Sequence, residues 1–184
     1  GLIAADSTQF LSVTVNSRAA VRSGDAVIWG RLHSPDATLD QLREVHRLGK
    51  RRMKPSTLTT FPSYWAALVE AGRRRGLRPA DFGLRFVILG GEVLTQGLLR
   101  RAQEVFGQVP TYDVYGAGEL WGAGGSFRCP GGRFHFGHGA HFEFLSPDDF
   151  QPAAPGTVAT MVATCLPPAR ETTLLLRYDT EDLF

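Results

Sequence analysis

The run Arg85-Phe86-Val87-Ile88-Leu89-Gly90-Gly91-Glu92 is apolar almost without a break until it meets two glycines and an acid. A short continuous apolar run is what a strand buried on both faces requires. The residues that follow change period. Thr95 is a helix cap, Leu98, Leu99, Ala102, Val105 and Phe106 recur on one helical face, and Gly107 is a stop signal. Tyr112 to Tyr115 is a second β-rich run, ending in Gly116-Ala117-Gly118-Glu119. Upstream, Thr57 to Phe61 reads as another strand. Pro62 then suits a first helical turn, Tyr64, Trp65, Leu68 and Val69 make one apolar face, and Arg73 to Arg75 place cations at the negative end before Gly76. Strand, helix, strand, helix, strand with short connections predicts a parallel α/β sheet. Ligands of such sheets bind beyond the carboxyl ends of strands, which is where Gly90-Gly91-Glu92 and Gly116 to Glu119 fall.

The flanks read differently. Phe10 to Val15 alternates as a strand does, and Gly24-Asp25 followed by Ala26 to Trp29 predicts a hairpin with it. Asp36 or Thr38 is expected to cap a helix whose stripe is Leu39, Leu42, Val45 and Leu48, stopped by Gly49. The basic run Lys50 to Lys54 reads as a solvated loop, lacking the aromatic interleaving of a nucleic-acid face. After Trp121 strands predominate: around Phe127, Phe134 to Phe136, Phe142 to Phe144, Thr157 to Thr164 and Thr173 to Tyr178. Turns fall at Pro147-Asp148-Asp149 and Pro155-Gly156. This half is predicted to be antiparallel β.

The 184 residues suffice for one real core, and hydrophobic and charged shares of 43% and 21% are ordinary for a globular chain. A net charge of +2 does not call for nucleic acid, and no apolar run reaches membrane-spanning length. Two cysteines make no disulfide framework, so the cytoplasm is the expected compartment. The chain begins at Gly1 without methionine and stops at Phe184 inside an expected strand, features expected of a piece of a larger protein.

Three stretches together resemble the adenylate-forming enzymes, in their phenylacetate-coenzyme A ligase-like branch. They are Leu89-Gly90-Gly91-Glu92, Thr111 to Glu119 and Leu176-Arg177-Tyr178-Asp179-Thr180-Glu181-Asp182. The family patterns are GGE, YGxTE or YGxSE, and RYRTGD. The resemblance runs from about Leu39 onward and includes the Cys129 to His135 segment and the Pro155-Gly156 turn. It implies an α/β nucleotide-binding core over residues 36–122, between a β-rich opening segment (1–35) and a β-rich subdomain (123–184). The phosphate loop would lie upstream of Gly1 and the lid domain after Phe184. It implies that Gly90, Gly91 and Glu92 pass along the adenine of ATP, that Asp113, Tyr115 and Gly116 line the nucleotide, that Glu119 holds magnesium and acts in catalysis, and that Asp182 takes the ribose hydroxyls. The implied reaction activates a carboxylic acid, an aromatic one by branch, and passes it to the thiol of coenzyme A or a carrier protein. Tyr115 and the turn to Trp121 are the expected pocket wall; Trp65 is expected in the core. No nucleic-acid or membrane partner is expected, and the sequence leaves room for a homodimer.

Departures from the patterns matter. Gly118 removes a hydroxyl beside the phosphate, and Asp179 and Glu181 replace an arginine and a glycine. Extra acids beside a triphosphate are unfavourable. They leave open a weakened or scaffold homologue. Some members of the branch hold structural zinc through a cysteine and a histidine at places matching Cys129 and His135; Cys165 is a further candidate ligand, with His138 and His141 nearby, and the alternative is two buried cysteines with surface histidines. A zinc-stabilised interaction domain is a third reading. On one extended strand His135 and His141 would share a face, but no fourth ligand is evident. The Gly116 to Trp121 stretch fails the dinucleotide fingerprint, since Trp121 stands at the third glycine.

Overall fold

The computed structural model describes residues 2–5, 26–29, 34–48, 50–120, 126–165, 167 and 174–184. Two compact units divide at Val114/Tyr115. The predicted strand at 10–15 and its turn lie outside the described residues.

The first unit is built on parallel strands in the order β2 (Ala26–Trp29), β1 (Leu2–Ala5), β5 (Thr57–Thr60), β6 (Phe86–Gly90), β7 (Thr111–Tyr115). All four pairings are parallel. Ala26–Trp29 is therefore a strand, as expected, but pairs in parallel with Leu2–Ala5.

Helix α1 (Pro35–Arg43) is capped by Ser34, whose Oγ accepts from the Ala37 amide at 3.3 Å. Neither Asp36 nor Thr38 is the cap, because Pro35 already suits the first helical position. Thr38 is buried and its Oγ1 lies 2.8 Å from the Tyr64 hydroxyl. The helix is shorter than its apolar stripe predicted. Glu44 turns extended, and β3 (His46–Leu48) pairs antiparallel with β4 (Arg51–Met53), so Val45 stands outside the core and part of the basic run is a strand.

Helices α2 (Pro62–Arg74) and α3 (Gln96–Phe106) occupy the predicted spans. Thr95 Oγ1 caps α3 through the Leu98 amide at 3.3 Å. Their faces close the core: Leu39, Leu42, Leu58, Trp65, Leu68, Val69, Val87, Leu89, Val105 and Phe106 are buried together. Trp65 stacks on Phe106 at 4.2 Å between ring centroids, which places it in the core as its spacing predicted.

The second unit holds the hairpin β8 (Ser126–Arg128) and β9 (Phe134–Phe136) and the antiparallel sheet β10 (Ala140–Leu145), β11 (Thr160–Cys165), β12 (Leu175–Leu183). Met161, Ala163 and Cys165 alternate along β11 and are fully buried with Leu120. Pro155-Gly156 forms the expected turn, with Gly156 at φ +84° and the Thr157 amide donating to Ala154 O.

Trp65→Ala removes the largest fully buried side chain and should cost about 3–5 kcal/mol. Urea denaturation checks this; Trp65→Phe, which keeps a stacking ring, should cost clearly less.

Candidate nucleotide site

In the first unit the carboxyl end of β6 becomes a fixed loop. A Cβ on Gly90 would stand 2.6 Å from Val114 Cγ2 and 2.7 Å from Val114 O, so only glycine lets β7 lie this close. Gly91 takes φ +79°, a left-handed value that favours glycine. The carboxylate of Glu92 accepts from the Ser63 amide (2.7 Å) and from Ser63 Oγ (2.7 Å). Those donors belong to the first turn of α2, whose N-cap, Phe61, supplies no side-chain bond and whose first turn has no acid. Glu92 therefore does for α2 what a capping side chain ordinarily does. Asp113 is half-buried on β7, paired with Leu89. Ser63 was not singled out from sequence. Pro62 marked a helix start, but the acceptor for Ser63 comes from 29 positions further along the chain.

In the second unit Tyr115 and Asp182 meet, and the charge of Glu119 reaches Tyr115. Tyr115 donates its hydroxyl to Asp182 Oδ2 at 2.5 Å. Its ring meets Phe184, Phe136 and Phe134 edge-on at 5.0, 5.9 and 6.2 Å. Burial, then the bond to Asp182 and that group's charge, hold the phenol well above its ordinary range; the charge of Glu119 adds to this and Thr180 partly offsets it. Glu119 is exposed in a single 3-10 turn, Gly118–Leu120. Among the described residues nothing lies within 4 Å of where a Cβ on Gly116 or Gly118 would stand. Trp121 lies outside the described residues.

Two irregularities interrupt β12, the strand that carries Asp182. Its pairing with β11 jumps between Val162↔Asp179 and Thr160↔Leu183, and again between Ala163↔Tyr178 and Cys165↔Leu175. Each jump holds a non-glycine residue at positive φ: Glu181 at +59° and Arg177 at +48°. Side chains secure the first. Asp179 Oδ1 accepts from Thr160 Oγ1 (2.7 Å) and from the Glu181 amide (3.0 Å), while Thr180 Oγ1 donates to Met161 O (2.9 Å) and accepts from the Asp182 amide (3.2 Å). Asp179, read from sequence as an awkward acid, is thus a structural acceptor. Glu181 occupies a left-handed backbone position where the family pattern has glycine.

The three zinc candidates do not form a set. Cys129 pairs with His135 across the turn joining β8 and β9; bonds from His135 and from the Arg133 and Gly131 backbone lower its thiol to about 7. Cys165 faces the core from β11, on the buried side that the strand's alternation dictates. Among the described residues, no three His, Cys, Asp or Glu side chains gather to hold a metal ion. His138 sits in a turn that separates β9 from β10, so His135 and His141 are on strands of different sheets rather than on one strand.

The family model described as AMP-binding enzyme matches residues 29–160. The chain belongs to the AMP-binding enzyme family. Over 137 residues it is 33% identical to the phenylacetate-coenzyme A ligase of Thermus thermophilus, covering 71% of this chain and 29% of that protein. Over 136 residues it is 29% identical to the Pseudomonas putida phenylacetate-coenzyme A ligase, covering 72% and 30%. These relatives carry the name of the branch that the motifs resemble. The chain spans about 30% of their length. Among solved structures, 2-hydroxyisobutyryl-CoA ligase in its postadenylation state with 2-HIB-AMP superposes with a TM-score of 0.74 at 21% identity, over 99% of this chain and 38% of that one. That likeness establishes the α/β fold expected of the large domain of an adenylate-forming ligase. Among the described residues no helix is long and apolar enough to cross a membrane.

Two outcomes follow from the second unit. Glu181→Gly relieves the left-handed strain and should stabilise the protein by about 0.5–1 kcal/mol in chemical denaturation, the strain outweighing glycine's entropy. In a spectroscopic pH titration, Tyr115 should ionise above the usual phenol value of about 10. Asp182→Asn should bring it down, though not fully, since burial persists. Because the native value is raised, the stability linked to this bond is fully present below about pH 10 and is lost as pH climbs through the native value.

Proposed function

We propose that the protein takes part in ATP-dependent activation of a carboxylic acid. A carboxylate oxygen attacks the α-phosphorus and pyrophosphate leaves. A thiol then attacks the acyl carbon and AMP leaves. Coenzyme A is the favoured thiol and an aromatic acid the favoured substrate, because the matched relatives are named phenylacetate-coenzyme A ligases.

The observation that carries this reading is the bond between Tyr115 and Asp182, with the charge of Glu119 acting on Tyr115, within a family whose description is AMP-binding. An ionised carboxylate offers about four acceptor sites. The bond from Tyr115 uses one at Asp182 and orients the rest, which suits a vicinal diol such as ribose. A phenol is protonated at neutral pH, so Tyr115 is the donor in this bond. Glu119 would hold magnesium. A single protein carboxylate fits that ion, which keeps several waters and takes its other ligands from substrate phosphates. Bound there, magnesium would neutralise charge at the α-phosphate and on the leaving pyrophosphate. The resemblance assigns Gly90, Gly91, Glu92 and Asp113 of the first unit to the adenine, where glycine backbone suits a flat base.

ATP–pyrophosphate exchange on the full-length protein, across aryl and short-chain acids, tests this. Exchange should depend on one class of acid and fall by roughly 10²-fold or more in Glu119→Ala, as when one pre-aimed electrostatic group is removed. A folded protein that exchanges with no acid would sink the reading and leave a scaffold.

A further inference from the structure

We infer that Ser63 is a positioning residue for the nucleotide, acting through Glu92. Three successive positions at the carboxyl end of β6 are each fixed by a different constraint. Gly90 is held by the closeness of Val114, Gly91 by its left-handed backbone, and Glu92 by two 2.7 Å bonds to Ser63. The third constraint spends both carboxylate oxygens on α2, Oε2 on the amide and Oε1 on the hydroxyl. The side chain of Glu92 therefore faces the helix, and the loop offers a base its main chain.

The helix end is itself anchored. Tyr64, next to Ser63, meets Thr38 of α1 at 2.8 Å, and the Trp65 amide bonds Phe61 O at 2.9 Å. No residue of the first turn of α2 caps it, so the link serves both partners: it satisfies a helix terminus and stops the loop from swinging. A pre-ordered loop binds its ligand without the entropy cost of being fixed on binding. The family resemblance assigns Glu92 to the nucleotide and says nothing of Ser63. The geometry makes Ser63 the residue through which α2 sets the loop.

The nucleotide half of this inference rests on the adenylation reading; the clasp does not. Two measurements on the full-length protein separate them. Amide hydrogen exchange at Ser63 should be slow and should accelerate by roughly five- to tenfold in Glu92→Ala, the factor equivalent to one lost cap. In ATP–pyrophosphate exchange, Glu92→Ala should raise KM for ATP by a similar factor, with kcat and KM for the acid little changed. Ser63→Ala, which keeps the amide donor, should move KM for ATP the same way by less, and Ser63→Thr should restore it. The double variant should be no worse than Glu92→Ala, because both changes break one link. If Ser63→Ala matches wild type toward ATP while Glu92→Ala does not, Glu92 acts on the nucleotide directly and the inference fails. It fails also if both variants weaken acid and ATP equally, since that is a general loss of structure. If wild type shows no exchange activity at all, adenylation falls and the clasp is judged by hydrogen exchange: an unprotected Ser63 amide overturns it, and protection lost in Glu92→Ala upholds it.

Discussion

The departure of β12 from regular pairing is the constraint on which the meeting of Asp182 with Tyr115 depends. A regular strand would alternate its side chains and present Thr180, Glu181 and Asp182 to opposite faces in turn. The jump between Val162↔Asp179 and Thr160↔Leu183 breaks that alternation, and a left-handed Glu181 turns the chain so that Asp182 meets Tyr115. Bulges commonly re-aim a side chain next to a functional site. Here the acceptor Asp179 and the hydroxyl of Thr180 secure the detour, so each of four consecutive residues has a separate task.

The first unit solves an equivalent problem without strain on a bulky residue. Gly90 and Gly91 let the chain leave β6 where a side chain would collide or force an unfavourable backbone. Glu92 then ties the departing chain to α2. Hydrophobic burial of Leu58, Val87, Leu89 and Trp65 holds the strands and helices that make this geometry available.

Much of this was legible in the residues. Period and caps located β6, α2, α3 and β7, since long apolar faces and terminal glycines leave few alternatives. The motifs singled out Tyr115 and Asp182, which a hydrogen bond joins. Where the reading went wrong, a local signal lost to a nonlocal one. The stripe Leu39, Leu42, Val45, Leu48 kept its spacing past the point where pairing of His46–Leu48 with Arg51–Met53 took the chain into a hairpin. Cys165 had the right chemistry for a metal, but its place on β11 buried it. Ser63 carried no signal, because its partner is known only once β6 and α2 are packed. The acceptor role of Asp179 was hidden for the same reason, as it requires Thr160 across the sheet.

Glu181 has a further consequence for motion. Backbone strain is present only while the bulge is formed, and it vanishes when the end of β12 lifts from β11. The strained residue therefore lowers the free energy of local opening at the carboxyl-terminal stretch, and openings of this sort occur well short of global unfolding. The time-averaged aim of the Asp182 carboxylate is then a population, set by how often the bulge is closed. In this chain the occupancy of a site geometry and the backbone chemistry of one neighbouring residue are the same variable.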